Sequence, residues 1–196
     1  MNIGIDIDNT LTDIEKDMFD AANIYTKTLN PDFEFKEIKK YDGFTNIAEF
    51  YSEIFGWDDD NANYSFRNHR IEIVDNTKPR DGVIEVLQKL KNNGNNIYIV
   101  TARNTLYDDM PYERAKRWLD NNDIVYDKLI VNAQDKAKTC KEVDIELFVD
   151  DQLNNCISLA KNGVYTIRLT NSKDVYDGII NINNWNDIYK YIINLK

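Results

Sequence analysis

Cysteine and histidine are nearly absent from this 196-residue chain, which has only Cys140, Cys156 and His69. The two cysteines lack the CxxC spacing of a zinc site and the density of a disulfide scaffold, so both are expected to be reduced thiols. The single histidine has no nucleophile-elbow serine to work with, which excludes a serine triad. Set in "FRNHR", 66 to 70, it reads as part of a solvated helix face. Neither GxxxxGK[ST] nor GxGxxG occurs, so a nucleotide would be a substrate here and not an energy source held by a P-loop. Long apolar runs are missing too, and the expectation is a cytoplasmic protein with no membrane span or signal peptide. Positive charge is in deficit: 24 Lys and Arg face 34 Asp and Glu, a net charge of −10. Binding a polynucleotide rests on neutralising its phosphates, so that partner is disfavoured. A small anion needs only a local positive site and stays open. No repeat or low-complexity tract interrupts the chain, whose length suits one full core with a small second domain.

What the chain does have is a succession of short apolar runs. Residues 2 to 8, "NNIYIVTAR" (95 to 103), "YDKLIVN" (126 to 132), "IELFVDD" (145 to 151) and "GVYTIRL" (163 to 169) read as strands. Their near-continuous apolar character is that of parallel strands buried on both faces. Helical patterns lie between them, at 81 to 94, 110 to 122 and 153 to 163. The first carries apolar residues at 83, 84, 87 and 90 and stops at Gly94, which suits a left-handed cap. Alternation of this kind predicts an α/β fold, a Rossmann-like parallel sheet covered by helices.

One region breaks the alternation. Between residues 14 and 78 there is no convincing strand, only amphipathic stretches such as 14 to 29 and 47 to 56. The expected organisation is an α/β core of 1–13 and 79–196, with a small α-helical cap of 14–78 inserted after the first strand. Such an insertion suits a lid over the carboxyl edge, where open α/β sheets bind ligands. Its aromatic residues, Phe19, Phe44, Phe50, Tyr51, Phe55 and Trp57, fit a substrate-facing role and a packing role equally.

The chemistry collects at strand ends. Asp6 and Asp8 close the first strand, and Asp150 and Asp151 close another. In a parallel sheet these ends share one edge, and unpaired carboxylates gathered there would repel one another. A hard divalent cation relieves that. Mg2+ takes oxygen ligands, needs only one or two carboxylates, and leaves room for a substrate phosphate. Thr101 closes a further strand, where its hydroxyl could hold a phosphate oxygen. Lys136 or Lys138 could supply the positive charge that phosphoryl transfer requires.

In this order, DxDxT after the first strand, an insertion, a strand ending in Thr, a Lys-bearing segment and a strand ending in DD, the chain resembles the haloacid dehalogenase (HAD) superfamily. "GIDIDNTLTD", "VTAR" and "FVDD", with a helical insertion in the type 1 cap position, look most like the 5'(3')-deoxyribonucleotidases and related bacterial nucleotidases. The resemblance implies Asp6 as nucleophile forming an aspartyl-phosphate, and Asp8 as general acid, its backbone carbonyl also binding Mg2+. It implies Asp6, Asp8 and Asp151 around the metal, with Asp150 orienting Lys136 or a water. Thr10 would brace the loop between the first two acids. Thr101, Ala102, Arg103 and Lys136 would meet the phosphate, with Lys138 competing for the lysine's place and Arg103 a weaker contact. Asn155 stands where the commoner pattern carries a further acid.

The implied activity is hydrolysis of a small phosphomonoester, a nucleoside or deoxynucleoside monophosphate first, with cap aromatics stacking the base. A homodimer is left open. A sugar phosphate keeps the same chemistry, and the net charge weighs against a nucleic-acid 3' end. A binding protein on a disabled version of this fold would have lost Asp6, Asp8 or the metal acids, and none is lost.

Overall fold

The computed structural model of the chain describes residues 1–37, 47–106 and 108–195. Its backbone contacts divide it into two compact units, Ile14–Thr77 and the remainder, Met1–Asp13 with Lys78–Lys196. Among the described residues no helix is long and apolar enough to cross a membrane.

Among the described residues the larger unit is built on six strands: β1 (Asn2–Ile5), β2 (Asn96–Val100), β3 (Lys128–Ile130), β4 (Leu147–Asp150), β5 (Tyr165–Leu169) and β6 (Ile179–Ile182). They lie in the order β3-β2-β1-β4-β5-β6, and every pairing is parallel. This is the parallel sheet that the apolar runs predict. Alternation along the strands sorts its two faces. Ile3, Ile5, Ile97, Ile99, Leu147 and Val149 pack with residues of α4 (Val83–Asn92), α5 (Pro111–Asn121) and α8 (Trp185–Asn194). Val100 and Phe148 turn the other way, onto α6 (Lys136–Glu142) and α7 (Leu153–Lys161). Gly4 shares that second face, and a Cβ there would stand 2.4 Å from the Phe148 ring, so only glycine fits against that fully buried phenylalanine.

Differences from expectation fall at the ends. β1 stops at Ile5, not Asp8, because the chain leaves the sheet after Asp6, whose N–H still donates to the Val149 carbonyl at 3.1 Å. The amides of Thr10, Leu11 and Thr12 then gather on the Ile7 carbonyl, and Asn9 takes a left-handed φ of 59°. Beyond residue 169 the structure adds β6 and α8, which have no counterpart in the sequence reading.

The smaller unit contains α1 (Ile14–Leu29), α2 (Ile47–Phe55) and α3 (Asp59–Asn76). Its core joins Phe19, Tyr51, Phe55 and Trp57 with Ala22 and Ala62. The Trp57 indole donates to the Thr26 hydroxyl at 2.9 Å. These four aromatics are therefore packing residues of their own unit. Phe44 and the side chain of Phe50 lie outside the described residues. His69 is half-buried, with Nδ1 3.2 Å from the Ser65 hydroxyl and its ring edge-on to Tyr25. The side chains of residues 66–68 in that stretch are also outside the description.

Candidate active site

Strand order determines where a ligand can enter. β1 leads through α4 to β2 on one side, whereas β4 lies on its other side, so the sheet reverses its winding between β1 and β4. Crossover connections diverge at such a point and leave a crevice beyond the carboxyl ends. Asp6 follows β1 at that crevice, and Asp150 ends β4 beside it.

Lys136 joins the two. It is the first residue of α6, whose N-cap Asp135 accepts the Lys138 N–H at 3.0 Å. From there its ammonium reaches Asp6 at 2.9 Å and Asp150 at 2.5 Å. It also lies 5.6 Å from the centroid of the Phe148 ring. All three charged side chains are almost wholly buried. Burial is the largest influence on Asp6 and pushes its carboxyl up to about 7, with Lys136 pulling down and Asp150 and Asp8 adding to the rise. Burial works against the Lys136 charge too, but attraction from Asp6 and Asp150 outweighs it and holds that pKa above the ordinary value. Lys138 points away: it is exposed and sits 3.9 Å from Glu142.

The fixed partners of Asp150 go beyond the lysine. One carboxylate oxygen accepts the Gln152 N–H at 2.8 Å, and the Asn155 amide reaches both oxygens at 3.2 and 3.3 Å. Asn155, from the first turn of α7, thus holds its neighbour's carboxylate in place. Asp151 is half-buried. It takes the Thr10 hydroxyl at 3.2 Å on a side-chain oxygen and the Arg168 Nε at 2.9 Å on its carbonyl.

Asp8 and Arg103 form a separate pair. Nε donates to one Asp8 oxygen at 3.0 Å and an Nη to the other at 2.6 Å. The Arg103 side chain is 3% exposed, that of Asp8 30%. Burial disfavours the guanidinium charge, but Asp8, Asp6 and Asp108 together keep its pKa above the ordinary value. Thr101 is buried just past β2, its hydroxyl accepting the Arg103 N–H at 3.3 Å. Ala102 is exposed, and its carbonyl takes the Gln134 side chain at 2.7 Å.

The loop carrying Asp8 and Thr10 is braced from far along the chain. Arg80 donates from Nε to the carbonyls of Asn9 and Thr12, and Trp185 donates its indole N–H to the Thr10 carbonyl at 3.1 Å. Neither residue, nor Arg168, carries a sequence signal that would have singled it out. Their partners are up to 175 positions away.

Asp6, Asp150 and Asp151 each offer an oxygen within 4.8 Å of the others. An all-oxygen, anionic donor set of this size suits a hard cation such as Mg2+. A doubly wound sheet with acids and a buried lysine at its switch point defines a class of α/β protein, one that can gather a cation and an anionic group at its carboxyl edge. Within that class, the chain belongs to the haloacid dehalogenase-like hydrolase family, whose model matches residues 3–114. It is 29% identical over 193 residues to a nucleotidase of Clostridium acetobutylicum, covering 96% of this chain and 92% of that protein. A Bacillus subtilis protein provisionally named a nucleotidase is 29% identical over 201 residues, covering 100% of this chain and 95% of its own. Among solved structures, a Thermotoga maritima protein provisionally titled a β-phosphoglucomutase gives a TM-score of 0.69 at 14% identity, covering 100% of this chain and 99% of its own. A haloacid dehalogenase-like hydrolase of Streptococcus pneumoniae gives 0.63 at 14%, covering 97% of each chain. At such identities these two speak for the fold alone.

Proposed function

We propose that this chain is a Mg2+-dependent phosphomonoester hydrolase working through an aspartyl-phosphate on Asp6, with nucleoside monophosphates as its substrate class. The observation that carries this reading is the Asp6–Lys136–Asp150 bridge at the sheet's switch point, with Asp151 beside it. The nucleotidase names of the two relatives support the substrate class.

Asp6 attacks phosphorus with a carboxylate oxygen as the bond from phosphorus to the ester oxygen breaks. Asp8 gives the departing alkoxide its proton and then takes one from the water that hydrolyses the aspartyl-phosphate, releasing inorganic phosphate. Lys136 keeps Asp6 oriented and adds positive charge beside the phosphoryl oxygens. Asp6, Asp151 and the Asp8 carbonyl would hold Mg2+, which supplies charge neutralisation and orientation to the phosphoryl group. Asp150, its carboxylate held by Lys136, Gln152 and Asn155, acts as the anchor of the lysine.

A panel of phosphomonoesters with Mg2+ tests the reading. Asp6→Asn should lower phosphate release from p-nitrophenyl phosphate by at least about a thousandfold. Retained turnover would remove Asp6 as nucleophile. dUMP or dTMP should exceed sugar phosphates of similar size in kcat/KM by about a hundredfold. The reverse order would move the substrate class to sugar phosphates.

A further inference from the structure

Arg103 is buried in a way that its contact with Asp8 does not fully explain. The guanidinium carries five N–H donors in a planar fork. Nε and one Nη are spent on the two Asp8 oxygens, while the other nitrogen, Nη1, is buried and has no hydrogen-bond partner among the described residues. A buried donor left unpaired is a net cost to the fold. The acid next nearest along the same loop, Asp108, is already tied to Arg114 Nε at 2.6 Å and to the Met110 N–H at 2.9 Å. The clamp also costs Asp8 something: with both its oxygens engaged, it cannot turn an O–H toward a leaving group without giving up one arm.

We propose that Arg103 is shared between Asp8 and the substrate's phosphoryl group: its fork passes from Asp8 to phosphoryl oxygens when a phosphomonoester enters, and Asp8 is released to face the ester oxygen. A phosphoryl group offers three acceptor oxygens in the planar, two-point geometry a guanidinium prefers, and it accommodates the donor that Asp8 leaves over. Arrival of the anion thereby arms the residue that protonates its leaving group. This exchange rests on the phosphatase reading above and adds a coupling that the reading alone does not require.

The test is a mutant cycle read by calorimetric titration of inorganic phosphate in the presence of Mg2+, on the wild type, D8N, R103M and the double variant. Removing the Asp8 charge relieves repulsion of phosphate in any case, so the decisive quantity is how that gain depends on Arg103. Under exchange, D8N also frees Arg103, and phosphate binds about tenfold tighter, while R103M weakens binding about tenfold. In the R103M background the D8N gain shrinks to about threefold or less. If Arg103 instead stays on Asp8, the R103M background leaves the Asp8 charge uncompensated. The D8N gain is then equal or larger there, which overturns the exchange and leaves the phosphatase reading standing. A wild type that neither binds phosphate nor releases it from p-nitrophenyl phosphate overturns both. Should R103M fail to fold, R103K takes its place: one ammonium cannot grip both carboxylate oxygens, and the same order of gains is expected. Steady-state turnover of R103K adds an independent readout, with KM raised and kcat lowered together under exchange and kcat alone affected if Arg103 only props Asp8.

Discussion

β1 and β4 each deliver two acids to the same edge, and in each pair the inner and outer members differ. The inner ones, Asp6 and Asp150, are buried and share Lys136. The outer ones, Asp8 and Asp151, are more open, one held by Arg103 and the other by Thr10. Four similar side chains are therefore distinguished by their partners and not by their chemistry. The inner layer is held by one shared cation, so that removing Lys136 leaves two buried carboxylates uncompensated. The outer layer is more open, which suits the metal-binding and proton-transfer roles proposed for it.

The sharpest way to break this contrast is to remove the lysine. K136M leaves Asp6 and Asp150 facing each other without a cation, and breaking a buried ion pair typically costs about 3–5 kcal/mol. Urea unfolding in a chelator should show that loss. Added Mg2+ should restore part of it, because a divalent cation held by Asp6 and Asp151 brings positive charge back beside the same cluster. K138M, on an exposed side chain 3.9 Å from Glu142, should leave the unfolding midpoint unchanged. Equal effects from the two would dissolve the distinction between an inner and an outer layer.

How far this layering could be read in the sequence depends on the distance of each partner. Parallel strands, the order of acids and the Lys136 position all follow from local pattern: apolar runs, DxDxT, and Asp135 as a cap that fixes where α6 begins. That cap favours Lys136, yet Lys138 stands in the same first turn and competes with it in the sequence; only the fold turns one inward and leaves the other exposed. The Asp8–Arg103 clamp joins residues 95 positions apart, and a basic residue after a strand carries no mark of which acid it will meet. Arg80, Arg168 and Trp185 were illegible for the same reason. In the helical unit, aromatics at helical spacing could serve packing or a ligand, and burial settled Phe19, Tyr51, Phe55 and Trp57 as packing.

A pair of single substitutions separates the two acids at the end of β4. Asp151→Asn should weaken Mg2+ binding about 10–100-fold with little change in unfolding midpoint, because Asp151 is half-buried and offers a ligand oxygen. Asp150→Asn should do the opposite: it removes a fully buried charge that Lys136, Gln152 and Asn155 all address, so stability falls first. Titration calorimetry of Mg2+ beside thermal unfolding reads both quantities. If Asp150→Asn loses the metal and Asp151→Asn keeps it, the roles of the two are exchanged.

The smallest effect belongs to Thr10. Its hydroxyl donates to Asp151 at 3.2 Å, and its side chain is wholly buried in the loop that Trp185 and Arg80 hold from behind. Thr10→Val keeps the shape and removes the donor, so the cost is one hydrogen bond to a charged acceptor, at the long 3.2 Å and therefore about 1.5 kcal/mol, the low end for such bonds. Because the backbone braces remain, the loop should stay in place and the unfolding midpoint should fall only slightly. The freed Asp151 oxygen is a better donor to a cation but a less oriented one, and these effects oppose each other. Mg2+ affinity should therefore change by less than about threefold, well short of what Asp151→Asn produces. A loss as large as that of Asp151→Asn would mean that the hydroxyl, and not the backbone braces, positions the outer acid, and the outer layer would then be as fixed as the inner one.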